Sequence, residues 1–211
     1  RAVPNVDGSY SLSGTKIFIT AGEHDLAENI VHLVLAKLPD APAGPRGISL
    51  FLVPKMLVDE SSELTGERNG VRCGSIEHKM GIKASPTCVM NFDEATGYLV
   101  GDLNNGLSHM FTMMNYERLS MGLQANGLAD SAYQVAAAYA KDRVQGRAPT
   151  GPQQPEANAD PLLVHPDVRR MLLTIRANIL AGRSLSIFAA IQLDISRFHP
   201  DAAARTRADK L

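Results

Sequence analysis

The chain has 211 residues, enough to bury a sizeable core in one large domain or two small ones. Its 21 basic and 22 acidic residues nearly balance, which argues against a nucleic-acid or membrane-surface role driven by charge. No apolar run approaches a membrane span. Cys73 and Cys88, the only cysteines, form neither a C-x-x-C nor a zinc pattern, so the default expectation is a reducing cytoplasmic setting without disulfides. The first residues lack the basic-then-apolar pattern of a secretion signal. Arg1 is not a methionine, and the last residues sit in a helical pattern just begun, so we expect an excerpt of a longer polypeptide.

Residues 1 to about 103 read as β structure. The series opens at residues 10–22 with a short strand, a tight turn at Ser13-Gly14, and a second strand that runs out into Ala21-Gly22. Further apolar runs fall at residues 30–38, 47–53, 71–79 and 87–92. A proline-rich turn interrupts them at residues 40–45. Residues 59–69, rich in Ser, Glu and Gly, predict an exposed loop. This spacing suits an antiparallel sandwich or barrel.

At Asn104-Asn105-Gly106 the period becomes helical. Leu107, Met110, Phe111 and Met114 fall at i, i+3, i+4, i+7, and the pattern continues to about Arg143, with Asn104 or Asn105 as the cap. Residues 148–160 carry Pro, Gly, Gln and acidic residues and read as a loop with scope for motion. A second long helix is predicted from Pro166, a residue suited to a first turn. Val168, Met171, Leu172, Ile175 and Ile179 form its apolar stripe, and Pro200 lies at or beyond its end. A further helix starts near Asp201. The expected fold class is α+β: an antiparallel β domain over residues 1–103, then antiparallel helices of an incomplete four-helix bundle over 104–211.

Thr20 sits where its strand runs out into glycine. There a hydroxyl and a backbone N–H can meet a flat heteroaromatic ligand, and strand alternation puts Phe18 on the same face. His24, Glu28 and His32 are spaced as metal ligands on a helix, but residues 30–35 are β-branched and apolar and read as strand, so no metal site is expected. The sequence holds no G-x-G-x-x-G, no P-loop and no G-x-S-x-G elbow. Any nucleotide cofactor is therefore held without a Rossmann domain.

Six segments, in order and covering essentially the whole chain, resemble the acyl-CoA dehydrogenase family, and most of all its longer bacterial branch. Phe18-Ile19-Thr20 is similar to the aromatic-Ile-Thr triplet that lines the flavin ring there. Gly81-Ile-Lys-Ala-Ser85-Pro-Thr87 resembles the Gly-x-[Arg/Lys]-x-Ser-x-Thr segment. Residues 97–107 resemble the connection to the first C-terminal helix. Met113-Met-Asn-Tyr-Glu-Arg-Leu119 and Tyr139-Ala-Lys-Asp-Arg143-Val-Gln-Gly-Arg147 resemble the two signature stretches of that helix. His165-Pro-Asp-Val-Arg-Arg-Met-Leu172 is similar to the start of the next one.

The resemblance implies FAD as cofactor and an acyl-CoA thioester as substrate, oxidised to the trans-2-enoyl-CoA. It also implies electron transfer to an electron-transfer flavoprotein, and a homo-oligomer. Phe18 would lie against the flavin ring and Thr20 would hydrogen-bond near N5 and O4. Ser85 and Thr87 would shape the β-domain side of the groove, or else cap the turn at Pro86. Asn115 and Arg118 would border the acyl-CoA. Arg143 and Gln145 would reach the flavin pyrophosphate in a neighbouring subunit. There the chain departs from the family's Arg-x-x-Phe-Gly, with Arg143-Val-Gln-Gly146 one residue shorter and without the aromatic. Glu117 occupies the helix position at which one subgroup places the catalytic base; most members place it downstream, outside this chain. Two other readings share these residues: a cofactor-free binding or assembly module, and an acyl-CoA oxidase or flavin monooxygenase on the same architecture.

Overall fold

The computed structural model describes residues 1–211. Eight strands come first: β1 (Ala2–Pro4), β2 (Tyr10–Thr20), β3 (Val31–Lys37), β4 (Ile48–Pro54), β5 (Met56–Val58), β6 (Leu64–Arg68), β7 (Val71–Ile76) and β8 (Thr87–Val100). Three helices follow: α1 (Gly106–Asp142), α2 (Pro166–Phe198) and α3 (Ala202–Ala208). The chain divides into two compact units, residues 1–113 and 114–211.

In the first unit β8 organises the sheet. Its 14 residues are more than twice the usual strand length. One edge pairs with β2, from Thr20 opposite Thr87 to Tyr10 opposite Gly97. The other edge pairs with β7 across Cys88 to Phe92 and then with β4 across Tyr98 to Val100. The order is β1-β2-β8-β4-β3, with β7 also on β8, and every pairing is antiparallel. Lys16 on β2 donates to the Leu35 carbonyl on β3 at 2.9 Å. On a flat sheet those strands would stand about 14 Å apart, at about 4.8 Å per strand. The sheet is therefore curled around its core, in which Leu12, Phe51, Val53, Val71, Cys88 and Met90 are sealed from solvent. Each of the Leu, Phe, Val and Met side chains contributes about 1.5–3 kcal/mol of burial.

Two expectations are corrected. Ser13-Gly14 is not a turn, because β2 runs through it without a break. Between Leu12/Ala95 and Gly14/Phe92, β8 has one residue more than β2. This bulge, with Glu94 at φ 50°, absorbs the bend that the glycine signals. Residues 59–69 are not all loop, because β6 pairs with β5. All five residues of β6 are exposed, so no apolar alternation marks it as a strand.

Two buried polar side chains fix the connections. Asn69 donates to the carbonyls of Pro54 and Thr96 (2.8 Å each) and accepts from the N–H groups of Gly70 and Thr96 (2.8 Å each). Ser49 accepts from the Asn104 N–H at 2.8 Å. At Gly106 a Cβ would stand 2.3 Å from the Ser49 carbonyl carbon, so only glycine lets the helix start this close to β4. The chain leaving β2 is held by Glu23, which pairs with Lys55 and, at 2.7 Å, with Arg68. Burial opposes ionisation of Glu23, but the hydrogen bonds from Lys55 and Arg68 outweigh it and hold the carboxyl below the ordinary range.

In the second unit α1 and α2 run antiparallel. Tyr116 lies under Arg197 (4.3 Å), Asn126 meets Gly182, Asp130 pairs with Arg183 (3.1 Å) and Arg176 (3.6 Å), and Arg176 also covers Tyr133 (5.5 Å). α3 is capped by Asp201, which accepts from the Ala203 N–H at 2.9 Å. α2 is long and apolar enough to cross a membrane, contrary to the sequence expectation. Its Arg176 and Arg183 nevertheless pair with Asp130 of α1, as in a bundle helix. Leu173, Leu180, Ile187 and Ile191 remain exposed along it.

Replacing Asn69 with Ala strands the Thr96 N–H and the carbonyls of Pro54 and Thr96. At about 1–3 kcal/mol for each unsatisfied buried group, we expect a loss of about 3 kcal/mol or more in urea unfolding. A loss below about 0.5 kcal/mol would contradict this. Because the folded Glu23 pKa is depressed, its stabilisation is complete above the ordinary carboxylate range and is lost as pH falls through the folded value. Melting temperatures of wild type and Glu23→Gln should differ near neutral pH and converge on acidification. A gap that widens in acid would contradict the assignment.

Candidate functional site

The end of β2 gathers four of the residues singled out in the sequence. Between Lys16/Met90 and Ile19/Cys88, β2 carries two residues, Ile17 and Phe18, against one on β8. Phe18 therefore sits in a bulge, at φ 58°, with 67% of its surface exposed. The simple alternation that would put Phe18 and Thr20 on one face is broken there; the bulge re-aims the ring outward. Beyond it the ladder resumes, with Thr20 opposite Thr87. The Ala21 N–H donates to the Pro86 carbonyl at 2.8 Å, which closes the two strand ends together. Gly22 follows so close to β8 that a Cβ would stand 2.9 Å from the Met90 sulfur.

This brings Phe18, Thr20, Ser85 and Thr87 to one end of the sheet. Main-chain groups there are already used: Lys79 donates to the Ser85 carbonyl (2.7 Å), and the Glu77 N–H donates to the Thr87 carbonyl (2.8 Å). The hydroxyls of Thr20, Ser85 and Thr87 enter no hydrogen bond within the chain, so neither Ser85 nor Thr87 caps the turn at Pro86. An exposed aromatic ring and three available hydroxyls at one end of a strand pair can take a flat ligand with polar edge atoms.

His32 lies on β3, so the helical spacing with His24 and Glu28 does not arise. Its buried Nε2 has no partner, its ring stands edge-on to Phe92 at 6.2 Å, and it borders a cavity of about 200 Å³ with Ile19, Leu33, Leu35, Phe92 and Met110. Burial pushes its pKa below the ordinary value, while the Glu23 charge pulls the other way. Sequence reading did not single out this orphan nitrogen.

In the second unit Asn115 and Arg118 line a groove of about 500 Å³ with Leu119, Leu185, Phe188 and Leu193. Glu117 is exposed and is not part of that lining, because on α1 it points well away from the face shared by residues 115, 118 and 119. Past α1, Arg143 and Gln145 lie in a segment bridged to the stretch before α2, with Val144 opposite Pro161. Asp160, which sequence reading passed over as a loop residue, is the buried centre of that segment. The Ala148 N–H holds its carboxyl below the ordinary range against the cost of burial, aided by the N–H groups of Gln154 and Gln153 and by the Arg147 guanidinium.

Residues 1–95 match the family description "Acyl-CoA dehydrogenase, middle domain", and residues 104–207 match "Acyl-CoA dehydrogenase, C-terminal domain". The chain is 55% identical, over 96% of its length and 34% of the relative's, to 3-methylmercaptopropionyl-CoA dehydrogenase of Ruegeria pomeroyi. It shares its fold with butyryl-CoA dehydrogenase from Megasphaera elsdenii (TM-score 0.72, 29% identity, 98% of this chain and 48% of that one). A third similarity is to a chain in the structure of the electron transferring flavoprotein of Acidaminococcus fermentans (TM-score 0.72, 26% identity, 98% of this chain and 47% of that one). The chain spans about a third of the length of the curated relatives it matches. With both domain descriptions matched in order, the chain belongs to the acyl-CoA dehydrogenase family.

Proposed function

We propose that this chain forms part of an FAD-dependent enzyme that oxidises an acyl-CoA thioester to the trans-2-enoyl-CoA. The observation that carries the reading is the end of β2, where the unengaged Thr20 hydroxyl stands with Phe18, Ser85 and Thr87. Bound FAD would supply the hydride acceptor for the substrate's β-hydrogen. Phe18 offers its ring as an apolar wall for the flavin plane. Thr20 donates to a polar edge of the ring, and a donor there favours the electron-rich reduced state.

Asn115 and Arg118 hold polar parts of the acyl-CoA, with the apolar lining of their groove alongside. Removal of the α-proton needs a carboxylate on the face of the Cα–Cβ bond away from the flavin. Glu117 is the carboxylate of this chain at the position one family subgroup uses. Because it does not share the face of Asn115 and Arg118, the reading places the base elsewhere in the complete polypeptide. Arg143 and Gln145 reach the flavin pyrophosphate of a second copy, which makes the working enzyme a homo-oligomer. Electrons pass on to an electron-transfer flavoprotein.

In the FAD-loaded polypeptide that contains these residues, Thr20→Val removes one hydrogen bond that strengthens on reduction. At about 1.5–3 kcal/mol for such a bond, the two-electron midpoint potential should fall by about 30–60 mV, read by spectroelectrochemistry. An unchanged potential would remove Thr20 from the flavin. The 211-residue chain alone should give no dye reduction with acyl-CoAs of any length. Turnover that disappears in Glu117→Gln would overturn the placement of the base.

A further inference from the structure

The stretch between α1 and α2 is built around one carboxylate. Asp160 is wholly buried. Its Oδ2 accepts the Ala148 N–H (3.0 Å), and its Oδ1 accepts the N–H groups of Gln153 (3.0 Å) and Gln154 (2.9 Å) and the Arg147 guanidinium (3.4 Å). Its main chain does a second job. The Asp160 N–H donates to the Gly146 carbonyl (2.8 Å), and its carbonyl accepts from Gln145 (2.9 Å). The Leu162 N–H donates to the Arg143 carbonyl (2.8 Å), and the His165 Nε2 lies 2.8 Å from the Gln145 carbonyl. Residues 143–147 thus form a short arm laid antiparallel to residues 160–162.

The same bonds sort the two arginines of the arm. Arg147 is spent on the loop, where it donates to the carbonyls of Gln154 (2.9 Å) and Ala157 besides Asp160. Arg143 is exposed, and its guanidinium makes no ion pair within the chain. A guanidinium binds a phosphate more tightly when the backbone that carries it is already ordered, because less freedom is lost on binding. The arm backbone, and with it the start of the Arg143 and Gln145 side chains, is held by main-chain bonds to Asp160 and Leu162, while the Asp160 carboxylate ties the end of the arm at Arg147 and Ala148 to the loop at Gln153 and Gln154.

We propose that Asp160 is a positioning residue that sets this arm so that Arg143 and Gln145 meet a pyrophosphate, that of FAD, and that Arg147 is a structural cation that takes no phosphate. This rests on the flavin reading above. Removing the carboxylate frees three amide donors and releases Arg147, so the arm loses its course and gains a competing charge.

The test is a fluorescence titration of FAD into the apo form of the polypeptide that contains these residues, with acyl-CoA affinity measured alongside. Arg143→Gln should raise the FAD Kd about tenfold or more, the usual effect of losing a charge-assisted hydrogen bond. Asp160→Asn should raise it by a similar factor, and the double variant should be no worse than Arg143→Gln alone within about twofold, because the two act through one contact. Arg147→Gln, which spares the amide bonds to Asp160, should stay within about threefold of wild type. If Asp160→Asn does not fold, Asp160→Glu keeps the charge but displaces it, and should weaken FAD while leaving acyl-CoA affinity intact. An FAD Kd unmoved by either Asp160 variant overturns the proposal, as do additive losses in the double variant. A tenfold loss in Arg147→Gln also overturns it, and so does weakened acyl-CoA with FAD unmoved. A wild-type polypeptide that takes up no FAD overturns the flavin reading as well, so the two failures are distinguishable.

Discussion

The pairing of β2 with β8 is the constraint on which the first unit depends. A strand of 14 residues can serve β2 along one edge and both β7 and β4 along the other. Its register is set by which side chains point inward, since a slip of one residue would turn Cys88, Met90 and Phe92 out to solvent. That same register sets Thr20 opposite Thr87 and so decides which hydroxyls meet at the sheet end. Two bulges then adjust what the ladder alone would give. One bends β8 at Glu94, and the other lifts Phe18 out of alternation so that its ring faces solvent. The core and the candidate site are consequences of one pairing.

Much of this was legible from residue patterns. The helical period from Leu107, the first-turn role of Pro166 and the break before Pro200 all correspond to observed helix limits. The apolar runs at residues 30–38 and 47–53 are strands β3 and β4. The failures have physical reasons. Gly14 reads as a turn because a glycine in a polar setting signals either a turn or a bulge, and the extra residue that decides between them lies about eighty positions away, on β8. β6 reads as loop because a strand with no buried face leaves no alternation to detect. α2 shows that hydropathy alone does not separate a bundle helix from a spanning one; the pairing of its arginines with Asp130 does.

The residues of the candidate site were singled out by likeness of short segments, not by periodicity. In the fold Phe18, Thr20, Ser85 and Thr87 lie at one end of the sheet, and Asn115 and Arg118 line one groove. The residues that were missed hold others in place: Glu23 behind the Thr20 strand end, Asn69 between β4 and β8, and Asp160 under the arm that carries Arg143. Each is a single polar side chain satisfied by partners scattered along the chain. No local pattern marks such a residue, because its meaning lies in burial and in bonds to distant main-chain groups. The loop of residues 148–160 illustrates the point: its composition suggests freedom, yet the carboxylate at its end gives it a defined course.

The central claim is that the Thr20 hydroxyl meets the edge of a flavin at the end of β2. A crystal structure of the FAD-loaded polypeptide containing these residues tests it most directly. The account predicts the Thr20 oxygen at about 3 Å from a flavin N5 or O4 atom, the usual hydrogen-bond distance, with the Phe18 ring against the isoalloxazine. A flavin bound elsewhere, or a Thr20 hydroxyl turned onto a neighbouring carbonyl, would contradict it.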